Sequence, residues 1–264
     1  MYTVFISDVF ILDKLLIRDC IIIFAVILTS FTDIYLDTKS RTESTPSIQS
    51  KPESTPSVHA KQNEGSIHVD ANPESISVLV NSLHKLPESY SPSDLIYADI
   101  PFIFKEKTEK RKMRVEAAGA IKELFTDAKA QGISLLGVSA YRSHATQTAL
   151  FQSYVSKDGY EEAKTYSALP GTSEHETGLA IDVTGGDGKC PAEDCFGGTK
   201  ESLWLEENAA DYGFIIRYPK GKKAITGYQY EPWHLRYVGK SIALKIMNKG
   251  ITLEEYFHAE PVNK

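Results

Sequence analysis

The chain predicts an α+β fold, a small antiparallel sheet flanked by helices. Two observations carry that expectation. Short aliphatic and aromatic runs at 134–140, 179–183, 213–218 and 235–238 are interspersed with amphipathic stretches at 111–131, 145–156, 202–212 and 239–248. The two kinds do not follow a regular βαβ alternation, which disfavours a doubly wound parallel sheet. The chain has 264 residues, 42% of them hydrophobic and 24% charged, which allows one sizeable domain with its own core plus appendages.

The appendages come first. Residues 20–32 carry no charge and are bounded by Asp19 and Asp33. As a helix they would reach roughly 20 Å, short of a hydrocarbon core of about 30 Å. That length suits a signal-peptide apolar region better than a full span. The preceding stretch mixes Lys14 and Arg18 with Asp8, Asp13 and Asp19, and no clean A-x-A site follows. Residues 1–36 are therefore expected to be a signal peptide or a membrane anchor, and the protein to be exported to the cell surface. Ile-Arg-Asp before Cys20 makes no lipoprotein box. A buried core helix is disfavoured because a polar tail follows directly. Residues 37–73 are that tail, rich in Ser, Thr, Pro, Lys and Glu, with Glu-Ser-Thr-Pro-Ser at both 43–47 and 53–57. Such a segment buries too little apolar surface to offset its ordering entropy, so it is expected to be a disordered linker. The folded domain is expected over 74–264.

Within it, Ile76, Leu79, Val80 and Leu83 stand at helical spacing and predict a short entry helix. Residues 86–95 hold two prolines and turn formers and read as an extended wrap. The clearest helix is 111–131, with Val115, Ala118, Ile121, Leu124, Phe125 and Ala128 on one face and Gly132 as its stop. Residues 134–140 read as a buried strand, 145–156 as a helix and 161–167 as a further helical turn. Residues 179–183 are a strand reaching Asp182, and the Gly-rich 184–200 form a surface loop. A helix at 202–212, with Leu203, Leu205, Ala209 and Ala210 inward, precedes strands at 213–218 and 235–238. A helix at 239–248 closes the set.

The formal net charge of −6, without a Lys/Arg stripe, excludes a basic nucleic-acid footprint. Cys190 and Cys195 flank Pro-Ala-Glu-Asp. They lack CxxC spacing and further partners for a zinc knuckle, which leaves a small disulfide loop or two free thiols.

The chemistry concentrates in two stretches. Ser173-Glu-His-Glu-Thr-Gly-Leu-Ala-Ile-Asp182 puts His175 and Asp182 seven residues apart, with Gly178 between them to supply a bend. Glu231-Pro-Trp-His234 follows. Glu231 and His234 are three apart and would share a face on a helical turn. Two histidines, an aspartate and a spare glutamate suit a catalytic zinc site with an open position and a base beside it. Each residue alone has an ordinary reading, as a hydrogen-bonded histidine, a cap or a surface charge. The remaining histidines (His59, His68, His84, His144 and His258) lack this context and are read as non-ligands.

Four segments together carry a resemblance. They are Ser-Ala-Tyr-Arg-Ser (139–143) with Gln147, Gly-Thr-Ser-Glu-His-Glu-Thr-Gly-Leu-Ala-Ile-Asp (171–182), Trp-Leu-Glu-Glu-Asn-Ala-Ala-Asp-Tyr-Gly-Phe-Ile-Ile-Arg-Tyr-Pro (204–219), and Glu-Pro-Trp-His-Leu-Arg-Tyr-Val-Gly (231–239). In this order they resemble the VanY-type D-alanyl-D-alanine carboxypeptidases, zinc peptidases of bacterial cell-wall peptides. The match spans roughly 74–250. It implies a hedgehog/D,D-peptidase-like fold, with His175, Asp182 and His234 as Zn2+ ligands. Glu231 would be the general base on the attacking water. Arg142 would face the substrate's terminal carboxylate or the developing oxyanion, where a planar guanidinium grips by two hydrogen bonds. Gln147 and Ser173 would add neutral donors to that carboxylate, and Trp233 and Tyr141 would wall the pocket or pack in the core. The matching segments hold no Ser-x-x-Lys nucleophile. Peptidoglycan stem peptides are the implied partners of a monomer that meets the membrane only through its amino-terminal segment. The alternatives are an L,D-carboxypeptidase or a cell-wall endopeptidase on the same fold, or a non-catalytic wall-binding module, which would not need Glu231. Specificity is expected to sit in loops 97–110 and 184–200.

Overall fold

A computed structural model of the full chain describes residues 69–263. The expected leader or anchor at 1–36, and the linker up to residue 68, lie outside the described residues. Among the described residues no helix is long and apolar enough to cross a membrane.

A four-stranded sheet forms the centre, ordered β3 (Leu135–Ser139), β4 (Ala180–Gly185), β6 (Glu231–Tyr237), β5 (Phe214–Tyr218). All its pairings are antiparallel. A separate two-stranded ribbon pairs β1 (Leu95–Tyr97) with β2 (Lys112–Arg114) and was not anticipated from sequence. The helices are α1 (Val115–Ala130), α2 (His144–Asp158), α3 (Tyr160–Tyr166), α4 (Lys200–Asn208), α5 (Lys223–Thr226), α6 (Lys240–Lys249) and α7 (Leu253–Tyr256). The α+β expectation holds.

The pleat sorts the central strands into two chemistries, because alternate residues face opposite sides. Leu179, Ile181, Val183, Phe214, Leu235 and Tyr237 join the core that also takes Ala118, Ile121, Leu124, Phe125 and Ala128 of α1. Val115, expected inward, is 50% exposed, and Ala117 takes the buried place instead. The helix stops where the sequence suggested, with Gly132 at φ 79. The opposite side of the sheet carries Asp182, Arg217, His234 and Arg236, all buried. Beside them Ile215 joins a second apolar cluster with Leu79, Ala243 and Ile246, and with Leu253 and Phe257 from the end of the chain. The sheet is thus an apolar platform on one side and a polar floor on the other.

Local chemistry explains the boundaries. The Ser143 side chain accepts from the backbone of Thr146 and starts α2, and Thr199 does the same for α4 through Ser202. Thr252 and Glu255 form a reciprocal capping box on α7, which lets so short a helix persist. In α4 Ser202, Trp204 and Leu205 are buried, whereas Leu203, expected inward, is 49% exposed.

The helix expected at Ile76–Leu83 does not form; this stretch is turn and extended chain. The carbonyls of Ile76 and Val78, which a helix would use internally, accept instead from the Arg236 guanidinium. Leu79 N–H donates to the carbonyl of Asp70. The tertiary partner outweighs the local periodicity, as happens readily for a run this short.

Candidate active site

The site is built where β4 and β6 lie side by side. Asp182 and His234 are direct cross-strand partners, so their side chains stand on the same face. His175 reaches them from a single 3-10 turn, Glu174–Thr177. That turn ends at Gly178 with φ 68, a left-handed conformation that returns the chain into β4. A Cβ there would sit 2.7 Å from Leu95 Cδ2, a side-chain tip that could move, so it is the left-handed φ that calls for glycine. The bend expected at Thr177-Gly178 is the one observed.

The three side chains converge. His175 Nε2 lies 3.3 Å from Asp182 Oδ2, and His234 Nδ1 lies 3.1 Å from Asp182 Oδ1. One donor atom from each falls within 4.8 Å of the others, and all three residues are buried. The hydrogen bonds fix which nitrogen is free on His175. Its Nδ1 lies 2.7 Å from the carbonyl of Ala140, which can only accept. The proton is therefore on Nδ1, and the Nε2 lone pair points at Asp182. Burial holds the His175 imidazole neutral, even against the adjacent Asp182 charge. Asp182 is also buried, yet the histidines beside it hold its carboxyl well below the usual carboxylate range. Burial likewise opposes charge on His234, but its hydrogen bonds to Asp182 and Glu174 prevail and push it up to about 9. Two imidazoles and a carboxylate, with hydrogen-bonded outer partners, are a donor set suited to a divalent zinc-type ion.

Glu231 and His234 are not on a helical turn, contrary to the sequence expectation; both lie in β6. Three residues apart on a regular strand they would face opposite sides. The register jumps between the pairs Ile216–Leu235 and Tyr218–Glu231, so extra β6 residues are accommodated there. This irregularity brings Glu231 Oε2 to 3.9 Å from His234 Nδ1. Burial is the main reason the Glu231 carboxyl is pushed up to about 7; His234 opposes the rise, while Asp182 and Glu174 add to it. A carboxylate poised there can accept a proton at neutral pH and release it again.

A cavity of about 270 Å³ opens over these groups, and Arg142, Ser173 and Trp233 are in its lining. Trp233 does both jobs considered for it, since it also packs in the main core. Tyr141 is buried and does not line the cavity. Gln147, expected as a donor to the substrate, is a correction. It is fully buried and outside the cavity lining. Its Oε1 accepts from Arg142 Nη1 at 2.8 Å, and its Nε2 donates to the carbonyl of Ala168 at 2.7 Å. Gln147 therefore holds Arg142 in place.

The walls also differ from expectation. No residue of loop 97–110 lines the cavity, and loop 184–200 contributes Ala192. The rest comes from Leu150 and Tyr154 of α2, from Tyr166 with the two residues after α3, and from Tyr218 and Tyr228. Cys190 and Cys195 form a disulfide, with Cα atoms 5.6 Å apart, which resolves the open alternative.

Sequence reasoning missed Glu174. It sits between two named site residues, yet it is buried and its Oε2 lies 3.4 Å from His234 Nε2. The signal was present in the strands. Phe-Ile-Ile-Arg-Tyr and Trp-His-Leu-Arg-Tyr each place an arginine in an apolar run, and a charge there requires a buried counter-charge.

Known proteins share this sequence family and fold. The family model for VanY, D-alanyl-D-alanine carboxypeptidase, matches residues 110–240. The carboxypeptidase-like protein YodJ of Bacillus subtilis (strain 168) is 50% identical over 186 residues, which cover 70% of this chain and 68% of YodJ. Among solved structures, the LdcB LD-carboxypeptidase superposes with a TM-score of 0.69 at 49% identity, over 72% of this chain and 88% of LdcB. The vancomycin-resistance D,D-pentapeptidase VanY of a VanB-type cassette, solved in complex with Zn(II), superposes with a TM-score of 0.56 at 33% identity. It covers 68% of this chain and 97% of that one.

Proposed function

Because the chain belongs to the VanY family of carboxypeptidases, we propose that it is a zinc-dependent D-alanyl-D-alanine carboxypeptidase that removes the terminal D-alanine from peptidoglycan stem peptides. The observation that carries this reading is the convergence of His175, Asp182 and His234 beneath Glu231, in a cavity walled by Arg142.

The three converging side chains would hold zinc through His175 Nε2, Asp182 and His234 Nδ1. When bound, zinc supplies Lewis acidity, polarising a carbonyl and making water nucleophilic near neutral pH. The protein's own groups do the rest. Arg142, braced by Gln147, grips the substrate's terminal carboxylate and so sets which end of a peptide enters. Ser173, in the cavity lining, adds a neutral donor. Glu231 takes the proton of the attacking water and passes it to the departing amine nitrogen, and free D-alanine leaves. No covalent bond to the protein is needed.

Incubating the purified protein with stem peptides ending in D-Ala-D-Ala, with and without a chelator, tests this by mass analysis. Loss of one alanine, abolished by chelation, is the expected result; untouched peptides would refute the reading. A second reading, L,D-carboxypeptidase, is favoured by one observation, the 49% identity to LdcB. It predicts that peptides ending in L-Lys-D-Ala are shortened and those ending in D-Ala-D-Ala are spared.

We also propose export, with the amino-terminal segment as leader or anchor and the protein acting as a monomer at the cell surface. The disulfide supports an oxidising compartment. Finding the protein wholly in the cytoplasm would refute this.

A further inference from the structure

The outer nitrogens of the two site histidines are held in different ways. His175 Nδ1 meets the backbone carbonyl of Ala140, whereas His234 Nε2 meets a carboxylate, Glu174 Oε2, at 3.4 Å. The other oxygen of that carboxylate, Oε1, accepts from Arg217 Nε at 2.6 Å and from Arg236 Nη1 at 2.7 Å. Arg217 in turn grips both oxygens of Glu254, at 2.9 and 2.6 Å, and Asn81 donates to Glu254 as well. Arg236 spends another nitrogen on the carbonyls of Ile76 and Val78. The side chains of Glu174, Glu254, Arg217 and Arg236 are all wholly buried.

Two guanidinium groups and two carboxylates thus balance inside the polar side of the sheet. Burying four charges costs desolvation that their attraction only partly offsets, and an apolar set of similar volume often gives a fold that is as stable or more so. Stability therefore does not explain the cluster. What an apolar set cannot do is accept a hydrogen bond from His234. The division of labour on Glu174 fits that purpose, with one oxygen anchored by two arginines and the other presented to the imidazole.

We propose that Glu174 is a positioning residue for the metal site. It accepts the Nε2–H of His234, and so leaves Nδ1, beside Asp182, for the metal position. Arg217 and Arg236 hold Glu174 in place, and Glu254 supplies the second counter-charge to Arg217 without touching Glu174. The amino-terminal wrap and helix α7 are thereby tied to a single ligand. Glu174 is not among the three side chains that converge, His175, Asp182 and His234, although it borders the same cavity. It orients a ligand and raises its donor strength, as outer carboxylates do for metal-bound imidazole.

This rests on His175, Asp182 and His234 being the zinc ligands, and the test separates the two claims. Zinc affinity is measured by competition with a chelating dye for the wild type, Glu174→Gln and Glu254→Gln, alongside thermal unfolding of the metal-free proteins and visible spectra of the cobalt-loaded forms. Glu174→Gln is expected to bind zinc about 10–100-fold more weakly and to alter the cobalt spectrum. Glu254→Gln, which removes a charge from the same cluster without facing His234, is expected to unfold at lower temperature while binding zinc within about threefold of the wild type. Equal zinc affinity and an unchanged cobalt spectrum in Glu174→Gln would overturn the proposal while leaving the ligand assignment standing. A wild type that takes up no stoichiometric zinc overturns both. A nitrogen-15 spectrum of the zinc-loaded wild type needs no variant: His234 must carry its proton on Nε2, and a proton on Nδ1 would overturn the assignment.

Discussion

Glu231 Oε2 stands 3.9 Å from His234 Nδ1, although the two residues are three apart on one strand. The register irregularity opposite Ile216–Tyr218 is what allows it. The carboxylate then lines the same cavity as His175, Asp182 and His234. Glu231→Gln keeps the shape and removes the base. Turnover is expected to fall about 10²–10⁴-fold with zinc content unchanged. Assaying D-alanine release against metal content per molecule checks this, and a variant retaining full activity would falsify the role.

Arg142 and Gln147 should separate by severity. Arg142 is a half-buried guanidinium at the cavity wall, braced by a buried amide. Arg142→Lys keeps the charge but loses the planar fork, so kcat/KM is expected to drop about 10–100-fold, the scale of one charge-assisted hydrogen bond. Gln147→Leu leaves the guanidinium present but unbraced. Its effect should be smaller and fall mainly on KM. If Gln147→Leu were the more damaging change, the amide would be touching substrate after all.

Much of this arrangement was legible in the sequence, and the reasons are local. Val115–Ala130, three of the central strands and the end of β6 are read from periodicity because their burial is one-sided or complete over several residues; the start of β6, at Glu231–His234, was expected as a helical turn. The three proposed ligands and Glu231 stand in two short motifs. Three things needed coordinates. Glu174 looks like a solvated charge until Arg217 and Arg236 are seen to converge on it. Gln147 looks like a substrate donor until both ends of its amide are found occupied. The wrap at 76–83 has helical periodicity, but its carbonyls go to an arginine that lies far away in sequence. For Glu174 and the wrap the deciding contacts are long-range, so no window of sequence contains both partners; Gln147 is decided by Arg142, five residues away, together with the more distant Ala168 carbonyl.

The buried charge cluster gives a pH signature. Burial would raise the Glu254 carboxyl, but the Arg217 charge and its hydrogen bonds outweigh this and hold it below its usual value of 4.5. A carboxyl with a depressed folded pKa contributes stability above its unfolded pKa, and that contribution is lost as pH falls through the folded value. The metal-free protein is therefore expected to lose thermal stability progressively below about pH 4.5. Glu254→Gln should be less stable near neutrality and show a shallower acid limb. Glu254→Ala, which leaves Arg217 with an unfilled contact in the interior, should cost about 3–5 kcal/mol. Thermal unfolding in the presence of a chelator, across pH 3 to 8, reads all three. Equal acid limbs in the wild type and Glu254→Gln would remove Glu254 from the explanation.

The disulfide loop links stability to the mouth of the cavity. Cys190–Cys195 closes a short loop in which Cys190 and Ala192 hold φ values of 53 and 56, a region that costs a non-glycine residue free energy. Ala192 lines the cavity, and the charge of Asp194 acts on Glu231. Opening the bridge frees these residues to leave their left-handed conformations. The double variant Cys190→Ser, Cys195→Ser is expected to lose about 2 kcal/mol of stability, the chain-entropy value for so short a loop. Its KM should rise because Ala192 no longer has a fixed place in the wall. Zinc content should not change, because none of the three ligands touches the loop closure. Intact mass with and without reductant establishes the bridge, and peptide kinetics on the same samples read the KM. If KM were the same in the oxidised wild type and the double variant, the loop would be a stabilising clasp with no part in substrate entry.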